Sequence, residues 1–138
     1  MIKSLKYSDQ SSLLPTKNFE KSEEKAIKAI QKSKKDQVKI QDKAYLLLGK
    51  SRFYDQKYIS ALQAFNQINE RKSEAILWKT MIYLNLDQPD IALRKAKEEV
   101  KKIGLESNDL NILKSITQSE IINNNYDEAL AGLKKIYI

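Results

Sequence analysis

The sequence predicts an all-α chain of about seven antiparallel helices, paired into hairpins. Three observations predict it. Apolar residues recur at i, i+3, i+4 and i+7 through most of the chain, the period of a helix with one buried face. Ala26, Ala61, Ala92 and Ala129 head matching apolar runs, spaced 35, 31 and 37 residues apart. Three glycines and two prolines in 138 residues leave almost no β-hairpin signals. An apolar content of 41% and a charged content of 31% describe a folded chain rather than a disordered one.

Residues 1–18 are polar and interrupted by Pro15, which pushes Leu14 out of helical backbone. They read as an extended N-terminal arm, packing through Leu13 and Leu14, ahead of a helical repeat domain over 19–138. The first helix spans about 19 to 34, with Phe19, Glu23, Ala26, Ile27 and Ile30 on one side. SKKDQVKIQ (33–41) is a charged connection. The next helix runs from about 42 to 54 with Tyr45, Leu48, Gly49 and Phe53 at helical spacing. Its partner runs from about 58 to 69 with Tyr58, Ala61, Leu62, Phe65 and Ile68. Gly49 and Ala61 stand where the two helices approach most closely.

ERKS (70–73) is a loop in which Ser73 suits an N-cap. The following helix holds Ile76, Leu77, Thr80, Tyr83 and Leu84, and Asp87-Gln88-Pro89-Asp90 punctuates it. Proline suits the first helical turn, where its missing N–H needs no partner. Ile91, Ala92, Leu93, Ala96 and Val100 then define a helix closed by Gly104. Ser107-Asn108-Asp109 starts the last pair. Its first helix shows Leu110, Leu113, Ile116, Ile121 and Ile122; Asn123-Asn124-Asn125 is a turn. Tyr126, Ala129, Leu130, Leu133 and Ile136 repeat the pattern of Tyr58, Ala61, Leu62, Phe65 and Ile68.

The spacing of Leu48, Gly49, Tyr58, Ala61 and Phe65 resembles a tetratricopeptide repeat, with Arg52 where that pattern prefers an aromatic. The resemblance implies an α-solenoid of stacked hairpins, since a hairpin with two apolar faces must bury both against neighbours. A compact seven-helix bundle is the rival arrangement. The last helix leaves Ile136 and Ile138 at an open edge. That suggests a fragment of a longer array, or a partner covering the edge.

Over 18–68, NFEKSEEKAIKAIQK followed by DKAYLLLGKSRFYDQKYISALQAFNQI is similar to the N-terminal repeats of the gliding-motility lipoproteins of the Bacteroidetes type IX secretion system. The match is specific at AYLLLGK, YDQ and ALQAFN. It implies a scaffold at the periplasmic side of the outer membrane, binding secretion-complex subunits. The lipid-anchoring cysteine of that family is missing here.

In a solenoid of this kind the first helix of each pair lines the concave side. The residues there that point away from the core are Lys43, Lys50 and Tyr54, then Trp78, Met81 and Asn85, then Lys114 and Gln118. A tryptophan and a methionine beside lysines suit a protein-binding surface. The alternative is that Trp78 packs between adjacent hairpins. A clamp for a C-terminal carboxylate is not predicted, because Lys50 stands where that pattern wants asparagine and Met81 does not fit it.

The chain has no histidine and no cysteine. The usual nucleophile–base pairs are therefore missing, zinc ligands are limited to carboxylates, and disulfides are impossible. Glu98-Glu99 and Asp127-Glu128 read as structural acids on helices, beside lysines or in a first helical turn. The glycines stand singly at 49, 104 and 132, so no phosphate-cradling loop exists. No catalytic residue, cofactor or metal is expected, and no enzyme. The opening residues hold no apolar signal segment, and no run reaches the ~20 apolar residues of a membrane-spanning helix. As given, the chain is expected to be soluble.

The net charge of +7 is uneven. Residues 1–72 hold sixteen lysines and arginines against eight acids, 73–105 six against five, and 106–138 three against five. The excess is lysine, a hydrated point charge and a poor bidentate reader of phosphate. A solvated basic face is the plain reading. A nucleic-acid-binding module using the basic N-terminal half is the alternative function.

Overall fold

A computed structural model describes residues 16–104 and 109–137. The described residues form seven α-helices and no strand. In order these are α1 (Thr16–Lys32), α2 (Val38–Tyr54), α3 (Tyr58–Phe65), α4 (Lys72–Asn85), α5 (Pro89–Ile103), α6 (Leu110–Ile122) and α7 (Tyr126–Tyr137). They divide into two units, Met1–Lys72 and Ser73–Ile138.

In the first unit α1 opens at Thr16, three residues inside the stretch read as an arm. The rest of that stretch, with Leu13 and Leu14, lies outside the described residues. Ser33 closes α1 by donating its hydroxyl to the Ile30 carbonyl at 2.7 Å. Gln37 and Gln41 bracket the connection that follows: the Lys34 N–H donates to Gln37 Oε1 at 2.9 Å, and Gln41 Nε2 donates to the Lys34 carbonyl at 3.1 Å. These bonds let α2 begin at Val38, four residues before the predicted start. Ala26, Leu48 and Ala64 form the common core of α1, α2 and α3, with Ile27, Ile30 and Tyr45 packed against it.

Gly49 is buried on α2 facing α3. A Cβ there would fall against the ring of buried Phe65, 2.7 Å from its Cδ1 and closer to the ring's far edge. That contact explains the glycine, because any side chain would separate the helices. Arg52 departs from the aromatic pattern for a visible reason. Its Nε donates to Glu23 on α1 at 3.0 Å and its Nη1 to the Ser60 carbonyl on α3 at 3.1 Å. Aromatic packing passes to its neighbours: Phe53 lies edge-on to Tyr54 and Tyr58, with ring centroids 5.3 and 5.6 Å apart.

In the second unit Ile76 of α4, Ala96 of α5 and Ile112 of α6 form the core, with Val100, Ile103 and Ile116 against it. Lys79 on α4 donates to Glu99 on α5 at 2.6 Å. Asn123 donates to the Pro89 carbonyl at 2.8 Å, tying the end of α6 to the start of α5. Asn111 reaches the Ser73 hydroxyl at 3.3 Å. Since α4 begins at Lys72, Ser73 lies inside it rather than capping it. Gly104 ends α5 with φ 75°, and Asp109 caps α6 by accepting from the N–H groups of Asn111 and Ile112. Ser107 and Asn108 lie outside the described residues.

All three hairpins close by the same turn. In the first, the N–H groups of Asp55, Gln56 and Lys57 donate to the carbonyls of Ser51, Phe53 and Arg52. In the second, Leu86, Asp87 and Gln88 donate to Ile82, Leu84 and Tyr83. In the third, Asn123, Asn124 and Asn125 donate to Ser119, Ile121 and Glu120. Ala61, Ala92 and Ala129 then open the next helix, each donating at 2.9 Å to Lys57, Gln88 and Asn125 respectively. The middle residues Gln56, Asp87 and Asn124 take φ of 64°, 62° and 64°. This is the helix closure in which a left-handed residue lets two N–H groups reach back to orphan carbonyls. The three sets are displaced by 31 and 37 residues, the spacing of the alanines.

Some core assignments need correction. α3 ends at Phe65, short of the predicted 69, although Ile68 is still buried. On α4, Ile82 is fully buried and Tyr83 only half-buried, reversing the expectation. On α6 the predicted Leu110, Ile121 and Ile122 are exposed, and the core side is Ile112, Ser115, Thr117, Ser119 and Glu120. Ser115 and Ser119 satisfy their hydroxyls on the carbonyls of Asn111 and Ser115, both at 2.8 Å. Thr117 fits because Gly132 opposite it has no side chain. On α7, Tyr126 and Leu130 are exposed, not core. Ile136 is half-buried, and Ile138 lies outside the described residues.

Candidate functional site

The eight predicted surface residues lie along three lines. Lys43, Lys50 and Tyr54 fall at i, i+7 and i+11 of α2, on one face. Trp78, Met81 and Asn85 share a face of α4, and Lys114 and Gln118 share one of α6. The first line belongs to one unit and the other two to the second.

Their environments differ. Lys43, Lys114 and Gln118 are exposed; Lys50, Tyr54, Trp78, Met81 and Asn85 are half-buried. Tyr54 stacks on Phe19 of α1 with ring centroids 6.3 Å apart and planes 15° from parallel. Its ring serves the α1–α2 contact, leaving less of it for a partner. The Asn85 amide donates to the Met81 carbonyl at 2.8 Å, spending that donor on its own helix.

Sequence reasoning missed two members of the α2 line. Ile40 is 50% exposed and Leu47 41% exposed. With Lys43 and Lys50 they make an alternating stripe, Ile40–Lys43–Leu47–Lys50, at i, i+3, i+7 and i+10. Its signal was present in VKIQDKAYLLLGKSRFY, which holds more apolar residues than one helical face can bury. Tyr45 and Leu48 pack inward, and Ile40 and Leu47 are the surplus.

Several carboxylates are engaged in structural contacts. Asp42, fully buried on α2, accepts from the N–H groups of Asn69 and Glu70 at 2.8 Å each and of Arg71 at 3.3 Å. It pins the segment leading into α4. Glu120, also buried, lies 3.3 Å from Lys97 and accepts from Asn125 at 2.6 Å. Glu98 pairs with Arg94 on the surface at 3.6 Å. Among the described residues no group of three or more carboxylates is placed to hold a metal ion. No described helix is long and apolar enough to cross a membrane.

No protein-family model, no curated protein and no solved structure matches the chain.

Proposed function

We propose that the chain is a non-catalytic protein-binding scaffold built from tetratricopeptide-like hairpins, and that the α2 stripe is its docking line. The observation supporting this is the exposure of Ile40 and Leu47 on either side of Lys43, with Lys50 one turn on. Exposed aliphatic side chains interleaved with lysines favour an acidic segment that presents aliphatic residues of its own. Apolar contact supplies affinity, and the lysines supply orientation and encounter rate. The three equivalent hairpin turns support the repeat reading, and with it an α-solenoid.

The place of this scaffold is proposed from the likeness over 18–68: the type IX secretion and gliding machinery, at the periplasmic side of the outer membrane. Affinity capture from an envelope extract tests both statements. The wild-type chain is expected to retain secretion-complex subunits, and the Lys43→Glu/Leu47→Asp variant to lose them with helicity unchanged. Retention by the variant equal to wild type would move the docking line off α2. Capture of unrelated proteins that the variant loses would keep the docking line and remove the assigned machinery.

A further inference from the structure

The outer face of α7 carries an exposed apolar stripe. Tyr126, Leu130, Leu133 and Tyr137 recur at i, i+4, i+7 and i+11, making one stripe along the helix. Tyr126 is 66%, Leu130 53% and Tyr137 81% exposed, while Leu133 is half-buried. The side of α7 adjoining Leu133 is already used: Ala129 is buried, and Gly132 lies against Thr117 of α6.

Charge selects the occupant. Asp127 and Lys134 are exposed, seven residues apart, on the same flank of the stripe. A two-fold axis perpendicular to the helix keeps that flank on one side and reverses its direction. Asp127 of each copy then meets Lys134 of the other, twice across the axis. A parallel pairing would place the two flanks on opposite sides and lose both contacts. In the antiparallel register that matches Asp127 to Lys134, the two Leu130 side chains meet near the axis. Tyr126 of each copy then falls between Leu133 and Tyr137 of the other. Asp127 in the first turn and Lys134 in the last also suit each helix's own dipole, so the charge order stabilises helix and dimer alike.

We infer that the chain self-associates as an antiparallel two-fold dimer through α7. One helix of 12 residues offers a small contact, so a weak dimer is expected, with dissociation in the micromolar range, at about 1–100 μM.

Sedimentation velocity of the full chain over about 5–500 μM tests the inference. The wild type is expected to shift from monomer to dimer across that range. Leu130→Glu keeps a good helix former at an exposed position and is expected to weaken association at least about tenfold with helicity retained. Asp127→Lys and Lys134→Glu are each expected to weaken self-association, and their equimolar mixture to restore it as a heterodimer. A wild type that stays monomeric throughout would overturn the inference and leave the face to a helix of another protein. So would a Leu130→Glu chain that associates like wild type. A mixture no stronger than its parts would overturn the antiparallel pairing.

Discussion

Asp42, fully buried, and Tyr83, half-buried, show how single groups govern this chain. Asp42 has no exposed surface and holds three successive backbone N–H groups. Removing it strands those donors beside a cavity. Asp42→Ala is expected to cost about 2–4 kcal/mol, read as a lower urea midpoint. Asp42→Asn keeps one acceptor oxygen and should cost less. Burial pushes the Tyr83 phenol above its ordinary 10.0, with the Glu99 charge adding to the shift and Arg94 opposing it. A proton held more tightly in the folded state contributes fully below pH 10.0 and is lost as pH rises through the raised value. Lys57 acts in the same direction. Its hydrogen bond to Asp55, and then the Glu23 charge, hold its ammonium above 10.5. Stability should therefore decline above about pH 10, and less steeply in Tyr83→Phe, as thermal melts across the alkaline range would show.

At the scale of the element, the hairpins are held by what their turns and crossings lack. Gln56, Asp87 and Asn124 occupy left-handed backbone that costs a side chain about 1–2 kcal/mol, less for asparagine and aspartate. Glycine removes that strain but adds unfolded-state freedom worth about 0.5–1 kcal/mol. Gln56→Gly should accordingly raise stability by about 0.5–1 kcal/mol and Asn124→Gly by almost nothing, a difference that paired melts resolve. At the α2–α3 crossing, Gly49→Ala places a methyl against Phe65 and should cost about 1–3 kcal/mol. Phe65→Ala alone should cost about 3–5 kcal/mol. Together they should cost less than their sum, because the truncated ring makes room for the methyl. These crossings were legible in the sequence: Gly49, Ala61, Ala92 and Ala129 are all buried as their spacing predicted. The face of α6 was legible only in part. Its buried side is rich in Ser and Thr, with Ser115 and Ser119 satisfying themselves on their own backbone, and its larger aliphatics Leu110, Ile121 and Ile122 face outward. Periodicity of apolar residues alone therefore found Ile116, which packs against the core, and misplaced Leu110, Ile121 and Ile122. Asp42 escaped notice as well. Nothing local in the sequence marks it, and only its N–H partners 27 to 29 residues away reveal it as a buried anchor.

Across the whole molecule the charge divides where the structure does. Residues 1–72 coincide with the first unit and hold a net +8, whereas 73–138 hold nine basic residues against ten acids. Of the sixteen basic residues in the first unit only Arg52 and Arg71 are arginines, and Arg52 is engaged by Glu23 and Ser60. Contact with nucleic acid would rest on lysine point charges, whose affinity comes from counterion release and falls steeply with salt. A protein partner seated on Ile40 and Leu47 gains much of its affinity from apolar burial, which salt does not screen. One salt series therefore separates the two functional readings. Anisotropy with a labelled DNA duplex should show binding at about 20 mM salt that weakens to a dissociation constant above about 1 μM by about 150 mM. Protein captured through the α2 stripe should persist over the same range. Submicromolar DNA binding at the higher salt, together with release of the captured protein, would transfer the function to the basic surface of the first unit.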